Sequence, residues 1–180
     1  MEAVKMIKER RSVRKFKDEK VDREIMKDVI KTATYSPTWA NFQIVRYTVI
    51  DDKELMERLA DESMADFPAN VKVTKRAAGV VVLSYVKGLS GTYPNKGYVT
   101  SKGDAWEMFD AGIACQTFCL AAYEKGIGTV IMGIFDEDKV VKVIELPEDE
   151  AVAAIIPYGY EIEHPQERSR KGVDEVLRFK

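Results

Sequence analysis

The length and composition of the chain are those of a globular protein and exclude several other classes of protein. It has 180 residues, of which 46% are hydrophobic, so it is long enough to bury a core without staples and too apolar to be disordered. The 28 basic and 30 acidic residues give a formal net charge of −2, which is not typical of a bulk nucleic-acid binder. One histidine and two cysteines, Cys115 and Cys119, offer neither a zinc-ligand spacing nor a disulfide scaffold. We expect one domain over residues 1–180.

The apolar segments of the chain are short. Residues 1–20 are strongly charged and contain no apolar stretch typical of a secretion signal. The longest apolar region, residues 109–123, falls short of the ~20 residues that a membrane span needs. We therefore expect a cytoplasmic protein that binds neither a membrane nor nucleic acid.

The first half of the chain is predicted to be mainly helical. Asp22 is a good N-cap before apolar residues at helical spacing, and a helix that starts there must end before Pro37 because the residue preceding proline avoids the helical region. The predicted elements are helices at residues 2–8, 23–34 and 51–60 and a strand at residues 47–50.

The second half of the chain mixes strands and helices without regular alternation. The run of apolar residues at 80–86 predicts a strand buried on both faces, and a loop with four glycines follows at 87–103. Residues 104–125 are apolar nearly all round, which predicts a helix buried on several faces. A strand at 129–132, a helix at 136–145 and a strand at 151–156 complete the prediction. This order favours an α+β sandwich around the buried helix over a doubly wound sheet.

Two clusters of arginine are the first candidate site. Residues 9–16 read ERRSVRKF and residues 168–171 read RSRK, although lysine outnumbers arginine 18 to 10 in the whole chain. Arginine is preferred for bidentate phosphate binding, and each cluster adds a serine hydroxyl. The two clusters could converge on one phosphate; each alone could equally be a solvated charged surface.

A turn-rich segment is the second candidate site. Residues 36–43 read SPTWANFQ, and their amides supply the donor and acceptor pairs that the edge of a heterocycle requires. The alternative is a helix-terminating loop with Trp39 in the core. The chain contains no GxGxxG or GxxxxGK[ST] motif, and the Gly126-Ile127-Gly128 turn follows a helix, which disfavours a Rossmann dehydrogenase. The single histidine, His164, does not suggest a serine hydrolase.

Taken together, these segments resemble the FMN-dependent nitroreductase family. Residues 10–16 follow its RRSxRxF pattern, and residues 36–43 are similar to its (A/S)PSxxNxQPW segment. Residues 110–129, DAGIACQTFCLAAYEKGIGT, resemble the DxGxAxQNxxLAAxxxGLGT pattern of its central helix. The chain departs from the family at Ile44-Val45, where Pro-Trp is usual, and at Gly79, where proline is usual.

The resemblance implies a fold and a cofactor. The fold is an α+β three-layer sandwich with a mixed, mainly antiparallel sheet and a buried central helix, in a homodimer with two tightly bound FMN molecules at the subunit interface. The implied cofactor-binding residues are Arg10, Arg11, Ser12, Arg14, Arg168 and Arg170 at the phosphate and ribityl end, Pro37, Thr38, Trp39 and Asn41 from the other subunit at the ring, Asn70 and Lys72 at the pyrimidine edge, and Met132 and Gly133 at the flavin N5.

The resemblance also implies an activity. NADH or NADPH would reduce the flavin, which would then reduce a nitroaromatic, a quinone or a related small acceptor by a ping-pong mechanism, without a catalytic side chain. Arg14 and Lys72 would supply positive charge near N1 and O2 of the reduced flavin, and the loop at 87–103 would replace the family's usual pocket-forming insertions. The alternatives are a reductive dehalogenase or flavin-processing relative, a non-catalytic flavin-binding or redox-sensing module, and a plain interaction domain that binds acidic partners.

Overall fold

A four-stranded sheet lies at the centre of the computed structural model, which describes residues 2–180. The strands are β1 (Val45–Ile50), β2 (Gly79–Val86), β5 (Gly128–Thr129) and β6 (Glu150–Gly159), in the order β1-β2-β6-β5 and antiparallel throughout. At the β5 edge Ser12 forms a parallel bridge to Thr129. The sheet is therefore mixed and mainly antiparallel, as expected.

Helices cover both faces of this sheet. They are α1 (Ala3–Glu9), α2 (Arg23–Ala33), α3 (Lys53–Ser63), α4 (Pro68–Arg76), α5 (Ala105–Glu124), α6 (Glu137–Ile144) and the short α7 (Val173–Val176). Side chains of α2 and α5 form one core with Val81 and Leu83, and side chains of α3, α4 and α6 form the other with Val80 and Val82. Because neighbouring residues of β2 point to opposite faces, this strand is buried on both sides, and the three-layer α+β sandwich is confirmed.

Helix α5 is the central buried helix of the prediction. Phe118 and Ala122 are fully buried in the α2–α5 core, and the exposed side of the helix carries apolar residues as well. Cys115 and Cys119 are both buried and free, so they act as small core residues. The hydrogen bond between these thiols and their burial raise the pKa of Cys115, which keeps it protonated.

Three aspartates begin helices as N-caps. Asp22 accepts a hydrogen bond from the Glu24 N–H at 2.7 Å, and Asp52 accepts one from the Leu55 N–H at 2.8 Å. Asp136 accepts one from Lys139 at 3.3 Å. Each carboxylate satisfies a backbone donor that the first turn of a helix leaves without a partner, and the predicted starts of α2, α3 and α6 are confirmed.

The structure differs from the prediction in several elements, among them the short α7 (Val173–Val176), which is not predicted. Helix α4 is not predicted, because residues 68–76 carry few apolar residues. The expected loop at 87–103 contains a small two-stranded sheet of β3 (Thr92–Tyr93) and β4 (Gly97–Tyr98). The strand expected at 129–132 is reduced to β5 and a bridge between Met132 and Ile155.

Gly128 allows residues 10–14 to lie against the sheet. A Cβ atom at this position would lie 2.6 Å from Cγ2 of Val13, and the Val13 side chain is itself buried. We expect Gly128→Ala to destabilise the fold by about 1–3 kcal/mol, the usual cost of overpacking, as measured by urea unfolding. The matched control is Gly172→Ala, where the nearest atom to the new Cβ would be 3.8 Å away; equal stability of the two variants would contradict this prediction.

Candidate functional site

The two arginine clusters line one cavity. It has a volume of about 590 Å³ and is lined by Arg10, Arg11, Ser12, Arg14, Pro165, Gln166, Glu167, Arg168 and Arg170. Residues 10–14 are held beside β5, where the Val13 N–H donates to the Thr129 carbonyl at 2.9 Å. The convergence of the two clusters, one of the two alternatives from the sequence, is therefore what the structure shows.

Contacts further along the chain bring the C-terminal cluster to this place. The Lys17 N–H donates to the Tyr160 carbonyl at 2.8 Å, and the Ile162 N–H donates to the Lys15 carbonyl at 3.2 Å. Lys15 also pairs with Glu163 at 2.5 Å. These contacts align residues 15–17 with residues 160–163, so the chain reaches the cavity again at residue 165.

The cavity is strongly positive, and two buried guanidinium nitrogens of its arginines have no hydrogen-bond partner. Five arginines and one glutamate line it, a balance of +5 − 1 = +4. The Nε atoms of Arg10 and Arg11 are buried without a hydrogen-bond partner. The Arg11 side chain is only 12% exposed, and its one acidic neighbour is Glu167 at 3.5 Å. Buried donors without partners are costly, so these residues fit an anionic group such as a phosphate.

A second group of candidate residues lies along the segment that follows β5. The Asn70 side-chain amide donates to the Ile134 carbonyl at 3.1 Å, which places Asn70 beside Met132 and Gly133. The Met132 N–H already donates to the Ile155 carbonyl at 2.8 Å, and the Met132 side chain is buried. The expected backbone donor is therefore restricted to Gly133, which is exposed. Lys72 is exposed on α4, two positions beyond Asn70.

The third group, residues 37–41, lies apart from the arginine cavity in the structure. Pro37, Thr38 and Trp39 line a separate cavity of about 290 Å³ with Trp106, Phe109, Asp110 and Ile113. Ala40 and Asn41 have left-handed backbones, with φ of 46° and 58°. The Trp39 ring lies 5.1 Å from the Trp106 ring and is partly exposed. The alternative of a tryptophan tucked into the core is therefore not what the structure shows.

Helix α5 separates the third group from the arginine cavity. Near its start, Asp110 accepts a hydrogen bond from the Trp39 N–H at 2.9 Å. Near its end, the Tyr123 hydroxyl donates to Glu9, just before the arginine cluster, at 3.4 Å. At a rise of 1.5 Å per residue, these two contacts are ~20 Å apart along the helix axis. Within one chain, the two groups therefore belong to different ends of the molecule.

The sequence interpretation missed the residues that hold segment 87–103. The Glu107 carboxylate accepts the Gly88 N–H at 2.6 Å, and Asp110 accepts the Ser90 hydroxyl at 2.5 Å. Burial and the charge of Glu107 raise the pKa of the Tyr98 hydroxyl, which donates to Glu107 at 3.3 Å. Glu107 and Asp110, in the first half of a mainly apolar helix, were the available signal, since buried carboxylates need partners.

Residues 2–180 contain neither a candidate metal cluster nor a membrane-spanning helix. No group of three or more histidine, cysteine, aspartate or glutamate side chains is arranged to hold a metal ion there. None of the helices in this part of the chain is both long and apolar enough to cross a membrane.

Known proteins share both the sequence pattern and the fold. The pattern of the nitroreductase family matches residues 7–160. A Bacillus subtilis protein named "Putative NAD(P)H nitroreductase YfhC" is 30% identical over 92% of this chain and 87% of its own length. The iodotyrosine deiodinase of Thermotoga neapolitana is 28% identical, with 86% of each chain covered.

A solved structure extends the comparison to the fold. An Exiguobacterium sibiricum protein, solved in complex with FMN, superposes with a TM-score of 0.86 over 100% of this chain and 98% of its own, at 20% identity. This likeness concerns the fold, and the family pattern covers 154 of the 180 residues, from 7 to 160. The chain belongs to the nitroreductase family.

Proposed function

We propose that this protein is an FMN-binding oxidoreductase that uses NADH or NADPH to reduce nitroaromatics, quinones or related small acceptors. The observation that carries the proposal is the single cavity in which two arginine clusters meet, with two buried guanidinium nitrogens that have no partner. Membership of the nitroreductase family supports it, as do the name of the B. subtilis relative and the FMN complex of the E. sibiricum protein.

The chain's own residues would hold the cofactor at three points. Arg10, Arg11, Ser12, Arg14, Arg168 and Arg170 would bind the phosphate and the adjoining ribityl chain. Asn70, which donates to the Ile134 carbonyl, would face the pyrimidine edge of the ring, Lys72 would add positive charge there from α4, and the Gly133 N–H would approach N5. When bound, FMN supplies the two-electron chemistry: it oxidises the nicotinamide and then reduces the acceptor. Because that chemistry belongs to the cofactor, no side chain needs to act as an acid or base.

The third group of residues supports a homodimer. Pro37, Thr38, Trp39 and Asn41 lie ~20 Å from the arginine cavity of the same chain, by the rise of α5, so we infer that they complete the site of a partner subunit. An antiparallel contact between the α5 helices of two subunits would place the start of one helix beside the end of the other. Such a contact is isologous, the usual arrangement of twofold dimers.

The surface of α5 suits this contact. Phe109 and Met108 are 57% and 49% exposed, and Gly112, one turn along the helix, is open on its outer side. Phe109, Gly112, Gln116 and the half-buried Leu120 lie on one face because residues three or four apart are neighbours on a helix. The glycine on this mainly apolar face allows two helices to approach closely.

One opening beside the flavin would serve both substrates. The nicotinamide and the acceptor would enter it in turn, which gives ping-pong kinetics. The iodotyrosine deiodinase relative favours a second candidate, a reductive dehalogenase that uses the same site. Release of iodide from an iodinated phenol would distinguish this candidate from reduction of a nitro group or a quinone.

The first test is the visible absorption spectrum of the purified protein, with chromatography of the released cofactor. We expect a yellow protein that releases about one FMN per chain and oxidises NADH or NADPH only when an acceptor such as menadione or nitrofurazone is added. A yellow protein without turnover would instead indicate a flavin-binding or redox-sensing module. A colourless protein that takes up no added FMN would overturn the proposal. The arginines would then be assigned to the alternative, an interaction domain that binds an acidic partner.

A further inference from the structure

Segment 87–103 is fastened to the start of α5 and to the segment at Trp39. We call residues 87–103 the hairpin segment, because it contains β3 and β4. Each tryptophan of the cavity donates its indole N–H to this segment, Trp39 to the Thr92 carbonyl and Trp106 to the Thr100 hydroxyl, both at 2.8 Å. The hairpin segment is therefore part of the wall beside residues 37–41.

One carboxylate oxygen connects these parts. Oδ2 of Asp110 accepts both the Trp39 N–H at 2.9 Å and the Ser90 hydroxyl at 2.5 Å. Asp110 is only 3% exposed, and Ser90 is fully buried. The same oxygen thus fixes the backbone of the flavin-facing segment and the base of the hairpin segment. Glu107, one helical turn earlier, holds Gly88 in the same way.

The aromatic side chains around this oxygen form a shelf. The Trp106 ring lies 5.1 Å from Trp39 and 5.3 Å from Phe109, the latter in an edge-on arrangement. Phe109 is largely exposed, and the adjoining cavity of about 290 Å³ has room for a small aromatic molecule. We call Trp39, Trp106 and Phe109 the aromatic shelf.

We propose that Asp110 is a positioning residue that sets the aromatic shelf and the hairpin segment in the geometry that receives the electron acceptor. This inference rests on the proposed function, in which residues 37–41 face the flavin. Asp110 acts through the hydrogen bonds that it accepts from Trp39 and Ser90 and takes no part in the chemical step. Without its carboxylate, two buried donors lose their acceptor, the hairpin segment is released from α5, and the shelf changes shape. None of the arginines assigned to the phosphate contacts Asp110 in the same chain, where the arginine cavity lies ~20 Å away along α5, so we expect FMN binding to be retained.

The test compares Asp110→Ala with Asp110→Asn. The alanine variant removes the shared acceptor, whereas the single carbonyl oxygen of asparagine has two lone pairs and can accept both donors. We expect alanine to raise the acceptor KM about tenfold, in line with the loss of well-made hydrogen bonds, while FMN content and the rate of flavin reduction by NAD(P)H stay within about threefold. Asparagine should restore most of the KM. Asp138→Ala, an exposed position on α6, is the control.

Two further readings do not depend on flavin. Trp39 and Trp106 are the two tryptophans of the sequence, so intrinsic fluorescence reports on the aromatic shelf alone; we expect a red-shifted emission in Asp110→Ala and the wild-type emission in Asp110→Asn. Trypsin should cut the alanine variant faster at Lys96, in the exposed turn of the hairpin segment. Ser90→Ala, which keeps the bond to Trp39, should show faster cleavage at Lys96 and remains informative if Asp110→Ala does not fold.

The results for Asp110→Ala can overturn the positioning role of Asp110 in two ways. Unchanged acceptor KM, emission and cleavage in Asp110→Ala would overturn the inference, and so would an equal loss of acceptor binding and FMN content, because that pattern indicates a general structural role. If the wild-type protein binds no FMN, the proposed function fails and with it the acceptor role of Asp110. The emission and cleavage readings then decide by themselves whether Asp110 fastens the hairpin segment.

Discussion

Replacing Arg10 or Arg168 with alanine is expected to weaken FMN binding by about 10- to 100-fold. A hydrogen bond to a charged group contributes about 1.5–3 kcal/mol, and 1.4 kcal/mol corresponds to a factor of ten in affinity. Both residues line the cavity that brings the N-terminal and C-terminal clusters together, so each variant removes one side of the phosphate site. Titration of the apoprotein with FMN, followed by quenching of flavin fluorescence, measures the change.

The control for this prediction is Arg178→Ala, which removes an exposed arginine from the same tail but outside the cavity. The melting temperature of the apoprotein separates binding from folding. Arg168 is exposed and has like charges around it, so its removal should leave the apoprotein as stable as the wild type or slightly more stable. FMN affinity that is unchanged in both Arg10→Ala and Arg168→Ala would contradict the phosphate site.

Replacing Gly112 with arginine is expected to give a colourless monomer. Within one chain, a Cβ at this position meets nothing within 4 Å, and any residue is a better helix former than glycine except proline, so the subunit itself should fold. Across the proposed contact between α5 helices, however, an arginine would separate the helices and place its charge in an apolar interface. Loss of that interface would also remove residues 37–41 from the partner's flavin. Sedimentation and the absorption spectrum measure both effects.

Thr32→Arg provides the matched control, since Thr32 is exposed on α2 and this change adds the same charge. We expect this variant to remain a yellow dimer. A Gly112→Arg protein that sediments as a dimer with full flavin content would show that α5 is not the interface, and a flavin-loaded monomer would show that one chain completes the site by itself.

The sequence predicted those parts of the fold that depend on local chemistry. The aspartate caps of α2, α3 and α6 and the apolar run of β2 depend on neighbouring residues, and all are confirmed. Elements that depend on partners far away in the chain were missed or misjudged in length. β5 pairs with β6 over two residues only and is bridged to Ser12 on its other side, and α4 packs against α3; neither set of partners can be read from the local sequence.

The site was predictable to a similar degree. Arginine-rich composition identified the five arginines that line the cavity, but only the contacts between residues 15–17 and 160–163 explain why the two clusters meet. Asp110 appears in the sequence as part of a family pattern, and nothing in that pattern names Trp39 and Ser90 as its partners. A pattern of residue types indicates chemistry, whereas the pairing of a buried carboxylate depends on the whole fold.

The separation of the two arginine clusters along the chain also constrains how the protein acquires its cofactor during synthesis. Arg10 and Arg168 are 158 positions apart, and ribosomes extend a chain by about 5–20 residues per second, so the N-terminal half of the phosphate site waits for roughly 8–30 s before its other half has been made. The nascent chain therefore cannot hold FMN through this site while β6 and the following segment are still inside the ribosome. Under the proposed function, flavin loading would therefore follow synthesis of both clusters.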